Sequence, residues 1–150
     1  MTKTTLFTCR FVLAAMTILG TAQAADTQRT LYQRLGGQPA VQAVASGLVD
    51  KILLDSRVNK WFAHAAESPA NAAAYKAKLA EFICQATSGP CKYEGMDMTA
   101  AHKGRGVTDQ AFDAVVDDLV SVMDQLKVPA REKSDVLALL APLKTVIVQK

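Results

Sequence analysis

Apolar residues recur at spacings of three and four along every long segment of this chain, and nowhere do they alternate in twos for long enough to make a sheet. That pattern restricts the fold to packed helices. Ala40, Val41, Val44, Leu48, Val49, Ile52 and Leu53 make one stripe, in a helix that Pro39 opens. A short helix before it, Thr30 to Leu35, is stopped by Gly36-Gly37. Ser56 caps a short turn that delivers Trp61 and Phe62. Pro69, after Ser68, starts a helix whose face is Tyr75, Leu79, Phe82, Ile83 and Ala86; Gly89-Pro90 breaks it, leaving residues 87–96 as loop. Thr108 N-caps a long helix carrying Phe112, Val115, Val116, Leu119, Met123 and Leu126. Pro129 opens the last helix, which runs through Val136, Leu137, Leu140, Leu143 and Ile147 with a kink at Pro142. The expectation is four substantial helices plus short pieces. At 150 residues, half of them apolar, the chain can bury one core but not two.

Residues 1–24 are not read as part of that fold. Lys3 and Arg10 precede a short apolar run, Phe11 to Leu19, and Ala22-Gln23-Ala24 has the small-residue pattern of a secretory cleavage site. The run is too short to span a bilayer. The expectation is a signal peptide over 1–24, a globular domain over 25–150, and an exported, periplasmic protein with no membrane attachment after cleavage. Removing Lys3 and Arg10 takes the basic residues from 17 to 15 against 14 acidic ones, a net charge near +1. The basic balance is therefore a targeting feature. No basic cluster is interleaved with aromatics, which argues against a nucleic-acid partner.

Cys9 leaves with the signal, so Cys84 and Cys91 remain, and in an oxidising compartment such a pair is expected to form a disulfide. The bridge would pin the end of one helix to the loop after it. No Cys-x-x-Cys-His occurs, which excludes c-type covalent haem attachment.

The chemistry concentrates in Asp97-Met98-Thr99-Ala100-Ala101-His102-Lys103-Gly104-Arg105-Gly106-Val107-Thr108, with Phe112 one helical turn beyond. His102 is one of two histidines in the protein. It stands between a short helical segment and a Gly-x-Gly loop. A histidine so placed can offer one unprotonated ring nitrogen to a metal while the other donates to a carbonyl in the preceding turn. Taken alone, such a histidine is more often a packed or surface residue.

In this order and spacing the segments resemble the truncated haemoglobins, most closely their first group, over roughly Leu31 to Val148. Leu31-Tyr32-Gln33-Arg34-Leu35-Gly36-Gly37 is similar to the family's opening helix and first di-glycine. Phe62 matches the phenylalanine that packs on the haem face, Gly89-Pro90 and Tyr93-x-Gly95 resemble the second glycine region, and Ala101 to Thr108 resembles the proximal segment. The resemblance implies an all-α, two-over-two helical sandwich enclosing one haem b, with His102 as proximal iron ligand. It implies cofactor contacts from Phe62, Tyr75, Lys78, Leu79, Ile83, Tyr93, Val107 and Phe112. Lys92, Tyr93 and Arg105 are candidates to pair with the haem propionates.

The distal side departs from the family. Where first-group members carry a ligand-stabilising tyrosine, this chain has Val49, preceded by Leu48. Counting back from Glu81 and Gly89 puts Tyr75, Lys78 and Leu79 at the family's distal positions. Some members have a histidine that binds iron where Lys78 falls. Lys78 is therefore expected either to ligate in alkaline or ferrous conditions, with burial lowering its pKa, and to yield to exogenous ligands near neutrality, or to reach out to a propionate or to solvent. Tyr75 would donate to the bound gas. His64 is read as a solvent-exposed loop residue. The functional expectation is reversible binding of a diatomic gas, O2, NO or CO. The alternatives are a nitric-oxide dioxygenase or other haem redox enzyme, which would need an unidentified reductase, and a haem-free helical interaction domain.

Overall fold

The computed structural model describes residues 28–149, so the expected signal peptide over 1–24, with Cys9, lies outside the described residues. Among the described residues the chain runs α1 (Leu31–Leu35), α2 (Gly37–Leu54), a 3-10 turn (Asn59–Phe62), α3 (Ala63–Ala66), α4 (Pro69–Ala86), α5 (Met98–His102), α6 (Asp109–Gln125), α7 (Ala130–Leu140), a second 3-10 turn (Ala141–Leu143) and α8 (Lys144–Ile147). The central helix is α2, which packs most extensively on α4 and then on α6. No described helix is long and apolar enough to cross a membrane.

Local chemistry accounts for most boundaries. Thr30 accepts from the Gln33 amide while the Gln33 side chain reaches back to the Thr30 amide, a reciprocal cap that starts α1. Gly36, at φ 109°, turns the chain through the left-handed region, so α2 begins at Gly37, two residues before Pro39. Ser68, Asp97 and Thr108 each accept from an amide three residues on and start α4, α5 and α6. Ser56 does not cap the turn before Trp61. Asp55 holds it instead, accepting from the Arg57 amide at 2.8 Å and from its guanidinium, because an ionised carboxylate outcompetes a hydroxyl for those donors.

The expected long last helix is two pieces. Pro142 has no amide to donate to the preceding turn and its ring crowds the carbonyl four residues back, so α7 ends at Leu140 and resumes as α8 after a 3-10 turn. The stretch from Ala63 to Asn71 holds the one-turn α3, tied to α4 by an Asn71 Nδ2 bond to the His64 carbonyl at 2.9 Å.

The main core gathers Val44, Leu48 and Ile52 from α2, Val58, Val107, and Ala111, Leu119 and Met123 from α6, with Val136 from α7. A second cluster, Val41, Ala45, Ala80 and Cys84, welds α2 to α4. At the edge of the fold Arg34 of α1 pairs with Glu132 at 2.6 Å and Asp135 at 2.5 Å, tying the N-terminal helix to α7. The Cys84 and Cys91 sulfurs lie 1.99 Å apart, joining the last turn of α4 to the following loop. Leu126, expected on the apolar face of α6, is 44% exposed because the helix has ended beneath it.

Candidate functional site

A cavity of about 830 Å³ lies between α4 on one side and the α5 loop and α6 on the other. That volume is within the range of small-molecule and cofactor sites. Leu79 and Ile83 of α4 form one wall, Val107 and Phe112 the other, and Phe62 closes one end. Successive helical turns bring Tyr75, Lys78, Leu79, Phe82 and Ile83 to the same cavity, as their spacing requires.

His102 ends α5 and also lines the cavity. Its Nδ1 lies 2.8 Å from the Met98 carbonyl. A carbonyl can only accept, so in the neutral ring Nδ1 carries the proton and the lone pair lies on Nε2. The loop after it is shaped by Gly104 and Gly106 at φ 74° and 61°, and neither has a neighbour within 4 Å where a Cβ would sit. Val107, 8% exposed, is its buried anchor. Trp61 supports it from the other side, its indole Nε1 donating to the Arg105 carbonyl at 3.0 Å. The single imidazole and the apolar lining fit a cofactor whose metal takes one histidine. Among the described residues no three His, Cys, Asp or Glu gather into an all-protein metal centre.

The ring of Tyr75 meets Phe62 edge-on, with centroids 5.6 Å apart. Burial pushes its phenol pKa up, the Tyr93 hydroxyl adds to this, and Arg105 across the slot opposes it. Tyr75, 40% exposed, therefore keeps its phenol proton to higher pH than a free tyrosine. Tyr93 packs edge-on against Phe82 at 5.4 Å and its hydroxyl donates to the Met96 carbonyl at 3.2 Å.

Three side chains singled out in the sequence have surroundings that it did not show. Lys78 does line the cavity, but its ammonium is 2.7 Å from Glu81, and that bond raises its pKa more than burial lowers it. The pair favours the charged form of the amine. Lys92 is 83% exposed in its side chain, pairs with Glu94 at 3.2 Å and does not line the cavity. Val49 is fully buried but is not part of the cavity wall, where Leu48 stands instead. His64 is exposed as expected, with Nδ1 2.8 Å from Glu67, although it also borders the cavity mouth.

Sequence reasoning missed Gln149. It follows α8 and reaches back to the His102 loop, donating from Nε2 to the His102 carbonyl at 2.9 Å. A separation of 47 residues leaves no local signal for such a contact.

The sequence pattern of the bacterial-like globin family matches residues 30–149. A group 1 truncated hemoglobin of Mycolicibacterium paratuberculosis is 31% identical over 114 residues, covering 76% of this chain and 80% of that protein. One from Synechocystis sp. is 33% identical over 104 residues, covering 67% and 80%. Among solved structures, the Fe(III) form of a truncated hemoglobin from Tetrahymena pyriformis superimposes with a TM-score of 0.72 at 25% identity, covering 81% of this chain and 100% of that one. The 2/2 hemoglobin of Synechococcus sp., in the cyanomet state with covalently attached heme, gives 0.71 at 27% identity over the same shares. With this pattern spanning nearly all the described residues, and relatives of this identity and coverage, the chain belongs to the bacterial-like globin family, among the group 1 truncated haemoglobins.

Proposed function

We propose that this protein is an exported haem globin that reversibly binds a diatomic gas (O2, NO or CO), with His102 as the proximal iron ligand. The observation that carries the reading is the 2.8 Å bond from His102 Nδ1 to the Met98 carbonyl, which leaves Nε2 unprotonated on the wall of an apolar slot. When bound, the haem supplies the iron on which the gas is held and released. The chain's own part is to exclude water with Phe62, Leu79, Ile83, Val107 and Phe112, and to set polarity on the opposite side with Tyr75. Lys78, charged and half exposed at the cavity edge, suits a propionate rather than the iron.

His102→Ala should abolish retention of haem during purification, read as loss of the Soret band in protein expressed with haem supplied. A full haem content with an unchanged spectrum in that variant would overturn the assignment. Tyr75→Phe should speed oxygen dissociation about tenfold, since one lost hydrogen bond is worth about 1 kcal/mol or somewhat more; flash photolysis or stopped flow measures it. Ferric and ferrous spectra of wild type and Lys78→Ala should titrate alike from neutral to mildly alkaline pH. A transition confined to the wild type would restore lysine ligation.

The export reading rests on Ala22-Gln23-Ala24 and the apolar run before it. The mature protein should begin at Ala25 with Cys84 and Cys91 oxidised. Intact mass of periplasmic material after thiol alkylation tests both, and two alkylated cysteines there would count against the bridge.

A further inference from the structure

The proximal loop is thinly supported by its own chain. The five-residue α5 buries no residue, and Gly104 and Gly106 meet nothing where a side chain would be. Yet this segment has to hold one imidazole at a fixed angle. Its other support is Gln149. The Gln149 backbone amide donates to the Val107 carbonyl at 2.9 Å. Its side-chain Oε1 accepts from the Gly106 amide at 3.0 Å, and its Nε2 donates to the His102 carbonyl at 2.9 Å.

We propose that Gln149 is a positioning residue for the proximal histidine, a clamp that closes the loop 102–107 on itself and sets the orientation of the His102 ring. The geometry is specific to an amide side chain. Only Asn and Gln present one acceptor and one donor at adjacent atoms, and here the acceptor takes Gly106 while the donor takes His102. The His102 carbonyl also accepts from the Arg105 amide at 3.1 Å, so the clamp completes a turn that is already half formed. From the other flank, the Trp61 indole holds the Arg105 carbonyl. The loop is thus gripped between Gln149, two residues beyond α8, and Trp61, the residue before Phe62. With the histidine's main chain fixed on one side and its Nδ1 on Met98 on the other, rotation about both ends of the side chain is limited. Partners one step removed from a metal ligand orient it in this way, and their loss typically costs 10–100-fold in affinity.

The inference rests on His102 being the iron ligand, and the two can be told apart. If His102→Ala keeps its haem, the ligand assignment has failed; if it loses haem but Gln149 variants behave as wild type, only the clamp has failed. The holoprotein is compared as wild type, Gln149→Ala and Gln149→Glu by transfer of haem to excess apomyoglobin and by resonance Raman of the ferrous iron–imidazole stretch. Gln149→Ala should lose haem on the order of tenfold faster, with a shifted or broadened stretching band. Gln149→Glu keeps the acceptor for Gly106 but cannot donate to His102, so it should fall between the two. The proposal is overturned if the Ala variant loses haem at the wild-type rate. It is equally overturned if haem loss accelerates with the stretching band unmoved, since that is general destabilisation. Should the Ala variant not fold, the Glu variant decides alone: a wild-type band and haem-loss rate in it overturn the clamp.

Discussion

A single added methyl tests a close contact beside the Cys84–Cys91 link. A Cβ on Gly89 would lie 2.6 Å from the Cys84 sulfur, 2.7 Å from the Cys84 carbonyl oxygen and 2.7 Å from the Tyr32 ring. Two of those atoms cannot retreat, because the sulfur is bonded to Cys91 and the carbonyl accepts the Gly89 amide at 2.7 Å. Gly89→Ala should therefore cost about 1–3 kcal/mol in urea unfolding. A second residue-scale effect is electrostatic. Asp118 of α6 is 3% exposed, and its Oδ2 is buried without a partner. Burial pushes its pKa up, the Asp55 charge adds to that, and Lys51 and Arg57 pull against it. A carboxyl raised in the folded state favours folding while protonated, so its contribution fades as pH climbs from the ordinary value of 3.8 through the folded one. Asp55 works in the opposite sense: Arg57 lowers its pKa, and its contribution is lost only as pH falls below 3.8. Asp118→Asn should raise stability at pH 7 by on the order of 1 kcal/mol, with the gain shrinking toward pH 4. Denaturation midpoints of both proteins across that range check it.

Helix α2 carries two jobs on neighbouring turns, and they can be separated. Ile52, 2% exposed, belongs to the core but not to the cavity wall, whereas Leu48 belongs to both. Ile52→Ala should cost about 2–5 kcal/mol of stability and leave the holoprotein spectrum unchanged. Leu48→Ala should cost a similar amount and also alter ligand kinetics, read by flash photolysis. The stripe on α2 was legible because a helix face is a short-range property, repeated every three or four residues. Which residues of the stripe face the cavity was not. That depends on where α4 and α6 lie against it, and it is why Val49 proved buried away from the slot. The last helix shows the same division. Its apolar spacing runs unbroken from Val136 to Ile147, but Pro142 divides it, and the break brings Gln149 back to the proximal loop.

For the whole molecule, the Cys84–Cys91 link ties the α4 wall to the loop that carries Tyr93 and Met96. Closing a loop this short should contribute about 2.5 kcal/mol in the chain-entropy view. Reduction should therefore lower the unfolding midpoint in denaturant while leaving gas affinity near its oxidised value, which a titration with and without reductant measures. What the sequence determined by itself were the long helices, most of their caps, and the short helical segment that ends at His102. Each is set by residues within a turn or two, where backbone angles and local hydrogen bonds decide the outcome. The tertiary structure alone decided the rest. It set the Tyr75 ring edge-on against Phe62, put Leu48 rather than Val49 on the wall, and brought Gln149 across 47 residues to His102. Those outcomes turn on which side chain is nearest in space and how much water is left around it. Neither quantity exists until the helices have packed.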